Sequence, residues 1–180
     1  MRTERRIGDL RLVEAVDDAR SLGDIYRRYG RYVAAVILRL DGRTAELEDL
    51  MQDVFLEAAR GIAGLREPGA VKGWLATIAI RAVRARLRVR RARRFLGLDA
   101  GAGYENLIDP AASPHDRALI ATVFRLLDEM PVEDRLAFSL HHIQGETLET
   151  VAALCGCSRA TANRRIARAL GRLERWMADE

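Results

Sequence analysis

Residues 147–168 read TLETVAALCGCSRATANRRIAR and predict a helix-turn-helix. Thr147 and Ser158 are residue types that cap helix N-termini, and Gly156 lies between the helices, where the turn needs a permissive backbone. Ala152, four residues before that glycine, allows the two helices to cross closely. The second helix carries arginine and asparagine, which reach base edges and phosphates in DNA. The stretch therefore favours a DNA-binding module, with a three-helix protein-interaction module as the alternative.

Two more helices are predicted immediately upstream of this motif. Ser113 as N-cap and Pro114 at the first helical position begin the first, which Pro131 interrupts. The second covers residues 132–143 and stops at Gln144-Gly145. The apolar positions of the first helix recur at helical spacing and predict a core stripe of Leu119, Ile120, Val123, Phe124, Leu127 and Met130.

An acidic amphipathic helix is predicted in the N-terminal half. A first helix covers residues 21–40, and a second opens at Thr44 and continues to about Arg60. The face opposite its apolar stripe carries Glu46, Glu48, Asp49, Gln52, Asp53 and Glu57. Because carboxylates repel DNA, we expect this face to meet a basic protein partner, although an ordinary solvated helix face is the alternative.

A third helix is predicted over residues 71–95, after a glycine- and proline-containing loop at 61–73. Its stretch 81–94 holds eight arginines and no acidic residue. Charge runs are often only solvated surface. Here the opposite side of the helix carries Trp74 and other core residues, so the arginines favour a phosphate-binding surface.

Residues 96–113 have no sustained period and accumulate glycine and proline, which is typical of a linker. We therefore predict an all-α protein of two small helical domains, residues 15–95 and 114–178. The linker is expected to be a mobile tether, and limited proteolysis should cut it first.

Composition and titratable residues exclude several classes of protein. The net charge of +4 suits a polyanionic partner, and no apolar run approaches the roughly 20 residues of a membrane span, so we expect a cytoplasmic location. The histidines lack nucleophile partners or metal-ligand spacing, and there is no glycine-rich phosphate loop. We thus predict no enzymatic activity, cofactor or metal. Cys155 and Cys157 are read as small apolar residues, with a metal or redox site as the alternative.

Taken in order, these elements resemble the extracytoplasmic-function group of the sigma-70 family of RNA polymerase sigma factors. Residues 49–56 (DLMQDVFL) resemble the family's polymerase-docking helix, and residues 74–79 (WLATIA) resemble the start of its DNA-melting helix. Residues 127–131 and 151–168 resemble the domain that reads the minus-35 element. The resemblance covers roughly residues 22–177.

The resemblance implies three surfaces and a set of partners. Core RNA polymerase, through the clamp coiled coil of its largest subunit and other core surfaces, would meet one surface of the protein. Promoter DNA would meet the other two, and an anti-sigma factor would hold the protein inactive. The polymerase-binding residues implied are Asp49, Gln52, Asp53 and Leu56. The minus-10 residues are Lys72, Trp74, Arg81, Arg84 and Arg88, and the minus-35 residues are Ser158, Arg159, Thr161, Asn163, Arg164 and Arg168.

The chain departs from the family pattern in the melting helix. The family usually has Arg-Asn after Ile-Ala and an Asp further on, whereas Ile80-Arg81 and Ala85 stand here, and a common tryptophan near Ala58 is missing. An unusual minus-10 preference is the resulting hypothesis. Two other functions stay open on the residues alone: a stand-alone helix-turn-helix regulator, and a helical adaptor that binds no DNA, with or without a metal at Cys155 and Cys157.

Overall fold

The computed structural model describes residues 22–65, 70–98, 104 and 113–179. Within these ranges the chain is all-α, as predicted, with no β-strand. The α-helices are α1 (Leu22–Asp41), α2 (Leu47–Gly61), α3 (Val71–Phe95), α4 (Pro114–Glu129), α5 (Val132–Phe138), α6 (Leu148–Cys155) and α7 (Arg159–Asp179). A 3-10 turn, Ile62–Gly64, follows α2, and a π-helical segment, Ser139–Ile143, continues α5.

The N-terminal half is a three-helix unit in which α1, α2 and α3 all pack against one another. Their apolar stripes meet in the centre, where Leu40, Val54 and Leu75 are fully buried. Burying such a side chain contributes about 1.5–3 kcal/mol relative to leaving it exposed. The amphipathic periodicity of the three helices therefore fixes which faces point outward.

The C-terminal half places α5 and α6 against α7. Its predicted caps are confirmed: the Ser113 hydroxyl accepts the Asp116 N–H at 3.1 Å, and the Thr147 hydroxyl accepts the Thr150 N–H at 3.2 Å. Each cap satisfies a backbone donor that a helix leaves unpaired in its first turn. The helix-turn-helix is thus fixed at its entrance.

The two halves lie against each other. One continuous cluster of buried side chains includes Leu40 and Leu87 from the first half and Leu136 and Leu140 from the second. Tyr104, the described residue of the central linker, is buried in a neighbouring cluster with Phe124 and Leu127. Residues 15–21, 66–69, 99–103 and 105–112 of the predicted domains and linker lie outside the described residues.

Three local predictions are wrong. Helix α2 begins at Leu47 and not at Thr44, because residues 44–46 form a turn in which the Leu47 N–H reaches the Thr44 carbonyl at 3.1 Å. Leu119 was expected in the core but is 45% exposed, because the described part of the chain places no element over that face of its helix. Gly61 closes α2 in place of opening a loop.

Candidate functional sites

The exposed face of α2 holds the four residues predicted to bind polymerase. Leu50, Val54 and Phe55 turn inward on the same helix, which leaves the predicted set on the solvent side. The Asp53 carboxylate makes no ion pair with any residue in the described ranges. The Asp49 carboxylate lies 3.9 Å from the Arg86 guanidinium, which is a long ion pair. The set exposed together is Asp49, Gln52, Asp53 and Leu56.

An apolar groove runs beside this face, between α1 and α2. Its volume is about 680 Å³, and its floor includes Ala34, Met51 and Phe55. Gln52 is also part of the lining, so the groove and the acidic face are contiguous. Tyr26 closes one side, with its ring edge-to-face against Phe55 at 4.9 Å between centroids. Sequence periodicity could not reveal the groove, because side chains of two helices line it and its shape depends on how those helices pack.

The first residues of α3 contain two of the predicted minus-10 positions. The Lys72 ammonium is exposed and lies 4.7 Å from the centre of the Tyr32 ring, a cation–π distance. Trp74 is half-buried and covers Gly61, where an added methyl group would lie 2.9 Å from the indole. Trp74 is therefore part packing and part surface, while Lys72 is available to an anion.

The arginines of α3 fall into distinct environments. Arg81 is exposed and forms no ion pair in the described part of the chain. Arg88 donates to Glu133 at 2.6 Å, and Arg84 donates to the Leu154 carbonyl at 3.3 Å. Two of the predicted DNA-binding guanidinium groups are thus occupied by the C-terminal half.

Arg90 is not a surface residue at all. It is 4% exposed, and its guanidinium contacts the Asp41 carboxylate at 2.9 and 3.0 Å and Glu46 at 3.0 Å. Burial would lower the pKa of Arg90, but these two carboxylates raise it above its usual value. Part of the arginine tract therefore stabilises the N-terminal fold. The sequence signal for this was spacing, because Arg90 follows Leu87 by three residues and so lies on the same buried face of the helix.

The turn of the helix-turn-helix has the geometry that its sequence predicts. Gly156 adopts a left-handed conformation with φ +62°, which side chains rarely tolerate. The Ser158 hydroxyl accepts the Thr161 N–H at 3.2 Å and lies 2.9 Å from the Thr161 hydroxyl. These two predicted minus-35 residues therefore also act as the N-terminal cap of α7.

The remaining predicted residues of α7 are exposed. Asn163 and Arg164 point outward, and Arg164 donates to the Thr161 hydroxyl at 3.3 Å. Arg159 is paired with Glu149 at 3.0 Å. Arg168 is held by the buried Asp134 carboxylate at 2.6 and 2.9 Å, and this hydrogen bond raises the pKa of Arg168.

The cysteines and histidines form no assembled reactive site within the described ranges. Cys155 is buried, and burial raises the pKa of its thiol, which disfavours the thiolate that metals bind. His141 contacts the Glu146 carbonyl at 2.9 Å, and His142 packs against Phe138. No group of three or more metal-ligating side chains occurs among the residues described. None of the described helices is both long and apolar enough to cross a membrane.

Two family models match the chain, one in each half. The sequence model of Sigma-70 region 2 matches residues 25–94, which include α2 and most of α3. The model of Sigma-70, region 4, matches residues 121–173, which include the helix-turn-helix. The first match thus covers the acidic face and the arginine tract, and the second covers the arginines of α7 up to Arg172.

Individual relatives cover the chain almost completely. The sigma factor SigM of Mycobacterium tuberculosis is 31% identical over 177 residues, which are 98% of this chain and 87% of SigM. The fold is similar to the sigma factor RpoE of Bartonella quintana (TM-score 0.61, 22% identity, 82% and 91% of the two chains). It is also similar to CnrH (TM-score 0.59, 22% identity, 94% and 96%). The chain belongs to the extracytoplasmic-function group of the sigma-70 family of RNA polymerase sigma factors.

Proposed function

We propose that this sigma factor docks on core RNA polymerase through the exposed face of α2. The observation that carries the proposal is the exposed carboxylate of Asp53, which is unpaired among the described residues of a basic protein. It lies beside an apolar groove to which Gln52 contributes. A basic coiled coil would pair with the carboxylates, and apolar side chains at its edge would fill the groove. The proposed contacts are Asp49, Gln52, Asp53 and Leu56.

Promoter DNA would meet the arginine-bearing helices. On α3, Lys72 and Arg81 are exposed, and the half-buried Trp74 of the same helix presents part of an aromatic ring, which suits the stacking of unpaired bases during melting. Arg84 and Arg88 would join this minus-10 surface once released from the C-terminal half. On α7, the minus-35 contacts would come from Arg159, Asn163, Arg164 and Arg168, with Ser158 and Thr161 shaping the helix start.

The protein would act by recruitment and melting and would catalyse no reaction itself, in the cytoplasm where promoter DNA is located. An anti-sigma factor is a further proposed partner. Bartonella RpoE was solved in complex with the anti-sigma factor NepR, and CnrH in complex with the cytosolic domain of CnrY. A comparable partner here would have to cover the α2 face or the arginine surfaces to prevent initiation.

Reconstituted transcription with purified core polymerase and a randomised promoter library tests the proposal. We expect initiation only when the chain is added, from promoters that share two separated elements. Tight binding of duplex DNA without any initiation would favour a stand-alone regulator. Stoichiometric metal without salt-dependent DNA binding would favour an adaptor. Enrichment of the family's common minus-10 motif would remove the hypothesis of an unusual preference at Arg81 and Ala85.

A further inference from the structure

A buried carboxylate of α5 is bonded to the helix that carries the proposed minus-35 contacts. Asp134 lies in the first turn of α5, and its side chain is only 7% exposed. The unpaired N–H groups of that turn favour an acidic residue, but burial removes most of the hydration of its charge. Within the described part of the chain, both hydrogen bonds that this carboxylate accepts come from Arg168 of α7. The buried charge therefore depends on one arginine for its compensation.

These two hydrogen bonds fix the guanidinium in one orientation. The Arg168 Nε donates to one carboxylate oxygen at 2.9 Å, and Nη2 donates to the other at 2.6 Å. A planar guanidinium held at two atoms cannot turn without breaking both contacts. One edge of Arg168 is thus engaged by the protein, and the direction of the other edge, which includes Nη1, is set.

The opposite edge of the guanidinium is open to a ligand. The Arg168 side chain is 60% exposed although its carboxylate partner is buried. It also lines an open groove of about 330 Å³, in which the small residues Ala167 and Gly171 of the same helix leave room. Arginine has five N–H donors, so the two bonds to Asp134 leave donors for an acceptor that enters from solvent.

Arg164 lies one turn earlier on α7 and is held differently. Residues four apart are neighbours on a helix surface, so Arg164 and Arg168 lie on the same side of α7. Arg164 donates to the Thr161 hydroxyl at 3.3 Å and makes no ion pair with any described residue. Arg168 is anchored by a buried carboxylate instead. The same side of α7 therefore carries one loosely held guanidinium and one rigidly held guanidinium.

We propose that Asp134 is a positioning residue for minus-35 recognition, which holds Arg168 in the orientation in which the guanidinium meets promoter DNA. Asp134 acts only through Arg168 and touches no DNA itself. This inference rests on the proposed assignment of Arg168 to the minus-35 element.

Fixing the arginine in advance should favour discrimination between sequences over total affinity. An arginine that is already ordered loses less conformational entropy when it binds. A mobile arginine reaches phosphates of any sequence, whereas a fixed one matches an acceptor at one place in the duplex. The Asp134 carboxylate also offsets the charge of Arg168 and so weakens its attraction to phosphates in general. We therefore expect Asp134 to raise the preference for the minus-35 element and to lower the affinity for random DNA.

The first test is Asp134→Asn in the full-length chain. Asparagine accepts at one oxygen and presents N–H groups at the other position, so the two-point contact with Arg168 is lost. The measurement with core polymerase is the ratio of transcripts from a promoter with the minus-35 element recovered from the randomised library to transcripts from one with that element scrambled. We expect this ratio to fall about fivefold. Affinity of the free chain for a random-sequence duplex should rise about twofold.

The control for this test is Glu174→Gln, which makes the same acid-to-amide change at an exposed position of α7 and should leave the transcript ratio unchanged. If Asp134 only stabilised the contact between α5 and α7, its loss would lower the folded fraction, and specific and random binding would fall together. An unchanged ratio for Asp134→Asn would overturn the proposal. So would parallel decreases at a temperature where circular dichroism shows a folded variant.

The second test asks whether Asp134 acts through Arg168. Arg168→Lys keeps the positive charge but cannot bridge both carboxylate oxygens, so we expect a similar loss of minus-35 preference with Asp134 intact. In an Arg168→Ala background, Asp134→Asn should cause no further loss of that preference. A further fivefold loss in that background would overturn the proposal, as would a wild-type preference in Arg168→Lys.

Failure of this inference can be distinguished from failure of the proposed function. If wild-type protein initiates at promoters and Arg168→Ala lowers the minus-35 preference but Asp134→Asn does not, positioning is overturned and the proposed function stands. If wild-type protein initiates at no promoter but binds a selected duplex, and Asp134→Asn and Arg168→Ala weaken that binding non-additively, the proposed function fails and positioning by Asp134 is supported.

Discussion

Two sets of carboxylates in this basic protein have opposite environments. On α2, Asp49 and Asp53 are exposed, and Asp53 has no ion-pair partner in the described ranges. Elsewhere Asp41, Asp128 and Asp134 are withdrawn from solvent and bonded to arginines. Both sets look alike in sequence. The difference shows that burial against arginines, and not residue type, withdraws a carboxylate from a partner.

Removing a buried carboxylate should produce the largest effect. Asp41→Ala leaves Arg90 in the interior with Glu46 as its remaining carboxylate, and breaking a buried pair typically costs about 3–5 kcal/mol. Asp53→Ala on the exposed face should change stability by less than about 0.5 kcal/mol. Urea unfolding of both variants measures the contrast, and equal losses would show that burial does not separate the two sets.

Two arginines of α7 allow the same comparison between exposed and carboxylate-bound groups, because Arg168 is bonded to a buried carboxylate and Arg164 is not. Arg164→Ala or Arg168→Ala should weaken minus-35-dependent transcription by about 1–3 kcal/mol if the lost contact is to a base, and by less if it is to phosphate. Only Arg168→Ala should also lower the melting temperature, because it leaves buried Asp134 unpaired. Unchanged promoter choice in both variants would remove the recognition role of these residues.

The free energy of unfolding at acidic pH should depend on the buried carboxylates, Asp128 in particular. Burial would raise the pKa of Asp128, but Arg135, Tyr104, Arg43 and Arg94 lower it to about 2, from 3.8 in the unfolded chain. The resulting stabilisation is complete above about pH 4 and is lost as pH falls through 2. Its size is at most about 2 kcal/mol. Unfolding free energies measured from pH 5 to pH 2 should fall more steeply for wild type than for Asp128→Asn, and parallel curves would argue against the cluster.

Limited proteolysis gives the smallest energetic signal but tests the domain boundaries. We expect the first cuts within residues 96–112, between the two predicted domains. Buried Tyr104 should delay cleavage next to it relative to the rest of that stretch. Mass spectrometry of early fragments locates the cuts, and initial cleavage inside residues 47–60 would contradict the boundaries.

The local structure was largely predictable because it depends on short-range patterns. The predicted bounds of α3 are confirmed at Val71–Phe95, and the caps Ser113, Thr147 and Ser158 hold the helix starts that their residue types suggested. Capping and amphipathic spacing act within one or two turns. The caps and the amphipathic helices can therefore be predicted directly from residue type and spacing.

The tertiary ion pairs were not predictable in the same way. Arg88 and Glu133 are 45 residues apart, and Arg43 and Asp128 are 85 apart, with no periodic relation between them. The sequence prediction consequently treated the arginine tract as a single phosphate-binding surface. The structure instead divides it into the exposed Arg81, Arg84 and Arg88, which are bonded to the C-terminal half, and the buried Arg90.

Co-purification of Asp53→Arg with core RNA polymerase tests the central claim most directly. The change replaces an attraction with a like-charge contact, which can cost several kcal/mol at an interface. Because Asp53 lies off the buried stripe of α2, the melting temperature should stay that of wild type. The control is Glu174→Arg, which makes an equal charge reversal at an exposed position of α7 and should bind polymerase normally. We predict loss of polymerase binding by a fully folded Asp53→Arg protein. Normal binding by that folded variant would contradict docking through α2.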